Sequence, residues 1–304
     1  IEELDQLAVD RAGGTVPQDP DGDPISEVYV TEDGRDLQQL IQKFTRGAVA
    51  LSQGADDYLD DDTEGKGLLT DNTMQDGDSP YSALEHQWDE GFGYFGAAVN
   101  YAEYTDEQIA AGESIDADDD GAIALVSERN FGHSVNAGKR DKGSADEAKT
   151  DYTAGAFDAF LEGRAIIAGA DGELSDDQMD ALVEQRDIAL ENWEKAIAAT
   201  VVHYINDTLQ DMNAFDSEDY SFNDHAKHWG ELKGFALVLQ FNPHSPLSDD
   251  DFATLHDLLG TAPVLADGDV EGYQEDLLEA RDIMRSAYDF DDANMGDDNG
   301  EGGW

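Results

Sequence analysis

Residues 175–212 read SDDQMDALVEQRDIALENWEKAIAATVVHYINDTLQDM, and this stretch decides the fold class. Ser175-Asp176-Asp177 is a helix-start signal, and Met179, Leu182, Val183, Ile188, Trp193, Ile197, Val201, Ile205 and Leu209 follow at helical spacing. A helix of that length spans roughly 50 Å at 1.5 Å per residue, so it predicts a member of a bundle, with a kink where the packing demands one. Working upstream, Leu37, Leu40, Ile41, Phe44, Ala48, Leu51 and Tyr58 predict a second amphipathic helix over Arg35–Leu59, interrupted only mildly by Gly47 and Gly54. Ser82 with Glu85 has capping-box spacing and starts a helix running to Ala102, and Thr105 opens a short T-D-E-Q start. Residues 222–240 and 270–288 supply two more helices, while strand-like alternation is scarce. The expected fold is all-α, a duplicated helical bundle with long loops.

The intervening segments are rich in Asp, Gly and Pro. Residues 1–34 read as an irregular lead-in, with SEVYVT at 26–31 as a short extended piece, and residues 60–80 as a long surface loop. The acidic, Gly-rich stretch 291–304 is a tail of the kind that frays unless something, such as a neighbouring subunit, holds it. The domain expected between them covers 35–290, divided into related halves at 35–150 and 151–290.

The duplication rests on two aromatic segments. Trp88-Asp89-Glu90-Gly91-Phe92-Gly93-Tyr94 aligns without gaps onto Trp229-Gly230-Glu231-Leu232-Lys233-Gly234-Phe235. Each has a histidine just upstream, His86 in one and His225 or His228 in the other, and each follows a long amphipathic helix.

The chain carries 71 acidic and 17 basic residues, a formal charge of -54 over 304 residues. A phosphate backbone is bound by clustered Lys and Arg, so nucleic acid is excluded as a partner. Such a charge strains the compact state at low ionic strength, whereas molar salt cuts the Debye length to roughly 3 Å, which predicts a protein selected in brine. The 12 Phe, 11 Tyr and 4 Trp are enough for a substantial core. There is no cysteine, so any metal must be held by oxygen and by the seven histidines. No apolar run is long enough for a transmembrane segment, and residues 1–11 have no signal-peptide character, as expected of an exported chain already trimmed.

The most specific local motif is Asp116-Ala117-Asp118-Asp119-Asp120-Gly121, the D-x-D-x-D-G start of a calcium loop with Ile123 at the apolar eighth position. Alternate carboxylates converge on one cation while the glycine takes the sharp turn. Asp116, Asp118, Asp120 and the Ala122 carbonyl are the expected calcium ligands. Position twelve is Ser127, so Glu128 is the expected substitute for the bidentate glutamate. The competing reading is an acidic loop that matches by composition. Asp19–Asp23 and the run 289–298 resemble calcium-stabilised turns more loosely.

His86 with Glu90, and His228 with Glu231, lie on one helix face at i,i+4 and i,i+3, and each pair is a candidate for iron or zinc. If the halves face each other the four side chains converge on an interior site, and the alternative is a buried polar network. H-E-x-x-H, G-x-S-x-G, phosphate-loop and dinucleotide signatures are absent, so the protein is expected not to be an enzyme. Asn242-Pro243-His244-Ser245-Pro246 reads as a turn ending a helix.

The blocks EHQWDEGFGYFG (85–96), DADDDGAIALVSERNFGHSVN (116–136), HWGELKGFA (228–236) and QFNP (240–243) resemble an uncharacterised family of bacterial secreted lipoproteins. That family is similar in turn to the imelysins, extracytoplasmic proteins of duplicated helical bundles linked to iron acquisition. The resemblance covers roughly residues 25–290. It implies a surface or extracellular location with lipid anchoring before trimming, and a role in metal binding or acquisition. The G-x-H-x-x-E metal motif of the wider group is not reproduced, and His86 with Glu90 is its nearest position. A cell-surface assembly subunit stabilised by calcium, with a surface-protein or self-assembly partner, is the alternative. A metallopeptidase is more remote, because no zinc-binding helix with a general base is present.

Overall fold

The helix over 176–213 keeps one edge of its first half exposed, at Asp180, Glu184, Asp187 and Glu191, and from residue 192 to 209 the chain leaves none of it exposed. The computed structural model describes residues 1–304, with ten α-helices: α1 Glu2–Ala12, α2 Leu37–Gln53, α3 Ala83–Phe95, α4 Asp106–Ala111, α5 His133–Gly143, α6 Tyr152–Gly169, α7 Asp176–Asn213, α8 Phe222–Ala236, α9 Asp249–Leu259 and α10 Val270–Tyr288. No strand forms, and only three isolated β-bridges occur. The all-α expectation therefore holds. Helix α7 spans about 57 Å and packs on α5, α6, α8 and α10. Its Leu182, Leu190, Ile197, Val201, Ile205 and Leu209 are buried, each contributing about 1.5–3 kcal/mol over an exposed side chain.

Caps form where the sequence places them. Ser82 with Glu85, Thr105 with Gln108 and Ser175 with Gln178 make reciprocal capping boxes. The helix expected over 35–59 is α2 followed by a π-turn at Gly54–Tyr58. Helix α3 stops at Phe95, earlier than the expected Ala102, because Gly96 takes the left-handed conformation that closes a helix.

Around α7 the remaining helices pack in pairs. Helix α6 lies along α7 and carries α3, whose Trp88 is fully buried and donates its indole N–H to the Phe160 carbonyl at 2.8 Å. A Cβ at Gly163 would sit 2.1 Å from the Trp88 ring, so only glycine lets α3 and α6 approach this closely. Helix α8 lies between α7 and α2, and its Trp229 is buried with its N–H shared between the Leu259 carbonyl and the Tyr273 hydroxyl. The two aromatic segments thus play parallel parts, each burying a tryptophan whose N–H ties its helix to another segment.

The two ends differ from expectation. The lead-in contains α1, which buries no residue and so leaves no apolar periodicity to read. It is held by charge: Arg11 donates to the carbonyls of Ile25 and Glu27 at 2.7 Å, and Arg35 pairs with Glu3 at 2.6 Å. The tail is fixed by the chain itself. Asn206 donates to the carbonyls of Met295 and Trp304, Arg281 donates to that of Asp297, and buried Trp304 donates to the Arg140 carbonyl at 3.1 Å.

Replacing Trp304 by Ala removes a buried ring packed against Tyr152 and Phe290. The expected loss is about 3 kcal/mol, read from denaturant unfolding at fixed high salt, and a loss below about 1 kcal/mol would show that the tail is only laid over the surface.

Candidate functional site

The loop between α4 and α5 carries the acidic motif. Asp116, Asp118 and Asp120 bring one carboxylate oxygen each within 4.8 Å of one another. The turn that gathers them is built from their own oxygens. Asp116 accepts the N–H of Gly121 at 2.8 Å and that of Asp120 at 3.2 Å, Asp118 also accepts from Asp120, and Asp120 accepts from Ala122 at 2.8 Å. Gly121 has φ +87°, the left-handed region that glycine enters at no steric cost. Each carboxylate offers about four acceptor positions, so lone pairs remain for a cation after these bonds.

Glu128 departs from its expected place. Its carboxylate does not join the three aspartates, because its two oxygens accept the N–H groups of Ala117 and Ala124 at 2.7 and 2.8 Å. Sitting one residue past position twelve, this buried side chain reaches the loop's backbone and staples its two sides together. Ile123 also differs from the motif's pattern, being 37% exposed, with Leu125 and Val126 more exposed still.

The four His and Glu candidates do not assemble. No three of them bring ligand atoms within 4.8 Å of one another. His86 is clasped on α3 between Asp76, 2.7 Å from Nδ1, and Glu90, 3.2 Å from Nε2. Burial would lower its pKa, but the hydrogen bonds and charges of Glu90 and Asp76 prevail and hold it above the ordinary value. His228 lies 2.8 Å from Asp211 through Nδ1 and 3.9 Å from Asp207 through Nε2. Its burial is likewise outweighed by Asp211, and its pKa is raised. A protonated imidazole has no lone pair left for a metal, so the raised pKa of each histidine works against ligation.

Glu231 is 4% exposed and pairs with Lys43 of α2 at 2.9 Å, and the Lys43 ammonium also stands 5.8 Å over the Phe235 ring. Glu231 and His228 thus each have a charged partner within the protein, Lys43 for one and Asp211 for the other. The equivalence of Glu90 and Glu231 also ends here, one at the surface and the other bridging two helices.

Sequence reading missed the partners of His244. Its Nε2 is 3.3 Å from the Asp60 carboxylate, and with Asp61 the three bring ligand atoms within 4.8 Å of one another. Burial, with the neighbouring Asp62, raises the Asp60 pKa, and Arg186 stands 3.3 Å from Asp61. The Asp60–His244 contact joins residues 184 positions apart, a distance across which local spacing carries no signal.

Lys43→Met leaves the buried Glu231 carboxylate uncompensated and is expected to cost about 3 kcal/mol. Lys43→Met with Glu231→Leu is expected to cost distinctly less, read from chemical unfolding of both variants. A double variant as unstable as the single one would rule out the ion pair as the reason for the loss.

No curated protein and no solved structure matches the chain. The family model described as Domain of unknown function (DUF4856) matches residues 2–260, which takes in α1 to α9 and the acidic loop. The chain belongs to the family so described, DUF4856.

Proposed function

We propose that this is an extracytoplasmic, non-enzymatic metal-binding protein of a halophile, with calcium held structurally by the loop over 116–122. The observation that carries the reading is the gathering of the Asp116, Asp118 and Asp120 oxygens within 4.8 Å around a left-handed Gly121. Calcium is a hard cation that takes six to eight oxygen ligands at about 2.3–2.6 Å, and carboxylates gathered on one turn, with backbone carbonyl and water, supply such a set. Three like charges this close repel one another, and a divalent ion turns that repulsion into attraction. The Ala122 carbonyl is the next oxygen in the motif. Glu128 is the staple of the loop in this reading, outside the ligand set.

The likeness of residues 85–96, 116–136 and 228–243 to secreted lipoproteins and imelysins supports a place at the cell surface, and the formal charge of -54 supports life in brine. A role in iron or zinc acquisition is a second reading. The observation favouring it is the imidazole and carboxylate set of His244, Asp60 and Asp61. A surface assembly subunit remains the alternative for the whole chain.

Calcium is expected to stabilise chelator-treated protein by about 2.7 kcal/mol at a hundredfold excess over Kd, read as a melting temperature that climbs with the logarithm of the calcium concentration. Asp118→Asn is expected to weaken calcium binding about tenfold or more without lowering the stability of the metal-free protein. No calcium response in the parent chain, or an undiminished one in Asp118→Asn, would overturn the loop as the site. Elemental analysis of the purified protein reads the second possibility directly: iron or zinc lost in His244→Ala and kept in His86→Ala supports it, and no transition metal removes it.

A further inference from the structure

A cavity of about 630 Å³ opens where the middle of α2, the end of α3 and the first turn of α5 meet. That volume lies in the range of small-molecule sites, roughly 300–1,000 Å³. Val49 and Phe131 line it and are 50% and 54% exposed, large apolar side chains left uncovered beside Tyr94.

The polar groups around it are mostly donors. His133 is the first residue of α5, only 1% exposed, and lines the cavity. Its Nδ1 accepts the indole N–H of Trp193 at 2.7 Å. An indole nitrogen can only donate, so Nδ1 carries no proton and the neutral ring holds its hydrogen on Nε2, which meets no acceptor in the protein. Burial, with the nearby charge of Arg46, pushes this imidazole down to about 3, so the ring stays neutral at working pH.

The same end of α5 adds backbone donors. Its N-cap is Gly132, which has no side chain to accept from the first turn, and the N–H groups of Gly132 and His133, which both line the cavity, find no acceptor in the protein. A helix start of this kind carries partial positive charge and receives anions. Arg46, on the opposite wall, forms no ion pair although the chain has 71 carboxylates. Glu90 is the one anionic group of the lining, and its carboxylate is engaged by His86.

We propose that this cavity binds a small organic monocarboxylate with an apolar body. Arg46, the Nε2–H of His133 and the backbone N–H groups of Gly132 and His133 receive the carboxylate, and Val49, Tyr94 and Phe131 hold the body. The aspartates of the acidic loop are not among its lining residues, so the inference stands apart from calcium binding.

The test is calorimetric titration of the full chain with 3-phenylpropionate at constant high ionic strength, beside 3-phenylpropionamide and phenethylamine. Saturable one-to-one binding of the acid is expected, with the amide about tenfold weaker or more and the amine not bound. Arg46→Gln removes an exposed side chain without an ionic partner, so it is expected to keep the melting temperature and to weaken the acid about tenfold or more. Val49→Glu puts a carboxylate on the apolar wall and is expected to abolish binding. No saturation with the acid, equal affinity for acid and amide, preference for the amine, or an unchanged affinity in Arg46→Gln would each overturn the proposal.

Discussion

A helix with no exposed residue between 192 and 209 must still satisfy its buried polar side chains, and that constraint on α7 organises the rest of the molecule. Glu194 is fully buried and accepts hydrogen bonds from Asn242, Ser245 and Tyr288, which pins the turn after α8 and the end of α10. Asn206 accepts from Arg281 and donates to the Met295 and Trp304 carbonyls. Arg186 donates to the Leu59 carbonyl and Trp193 to His133. Each polar residue left unpaired at this depth would cost about 1–3 kcal/mol, so each one fixes a peripheral segment in a single position. Apolar burial gives α7 its place, and these four residues determine what surrounds it.

That division explains what could be read from the sequence. Helices α2, α7, α8 and α10 were legible because their apolar stripes and caps are local, and all-α followed from them. Helix α1 has no buried face, and α6 is apolar almost all round, with Phe157, Phe160 and Ile167 buried beside half-buried Ile166. Neither shows the amphipathic stripe that a periodicity reading needs. The aspartate turn was legible for the same reason as the caps, since its groups lie within six residues. The pairing of Glu231 with Lys43, of His244 with Asp60 and of His133 with Trp193 spans 60 to 188 positions, and only the packed helices bring these groups together.

The sparse cations show how a chain with so many acids keeps its interior closed. Arg186, Arg281 and Lys43 lie inside or at helix seams, where they meet carbonyls or carboxylates. The surplus acids line the exposed faces, where water and dissolved ions screen them. Arg46, like Lys139 and Lys227, makes no such contact, and it stands beside an apolar hollow.

The staple formed by Glu128 bears on how the acidic loop behaves. Because Ala117 and Ala124 are joined through one buried carboxylate, the turn arrives already shaped by folding. Little chain freedom is left for an ion to remove, and little movement for it to drive. A loop so prepared is poorly suited to act as a trigger, so occupancy there would register in the stability of the fold and not in its shape.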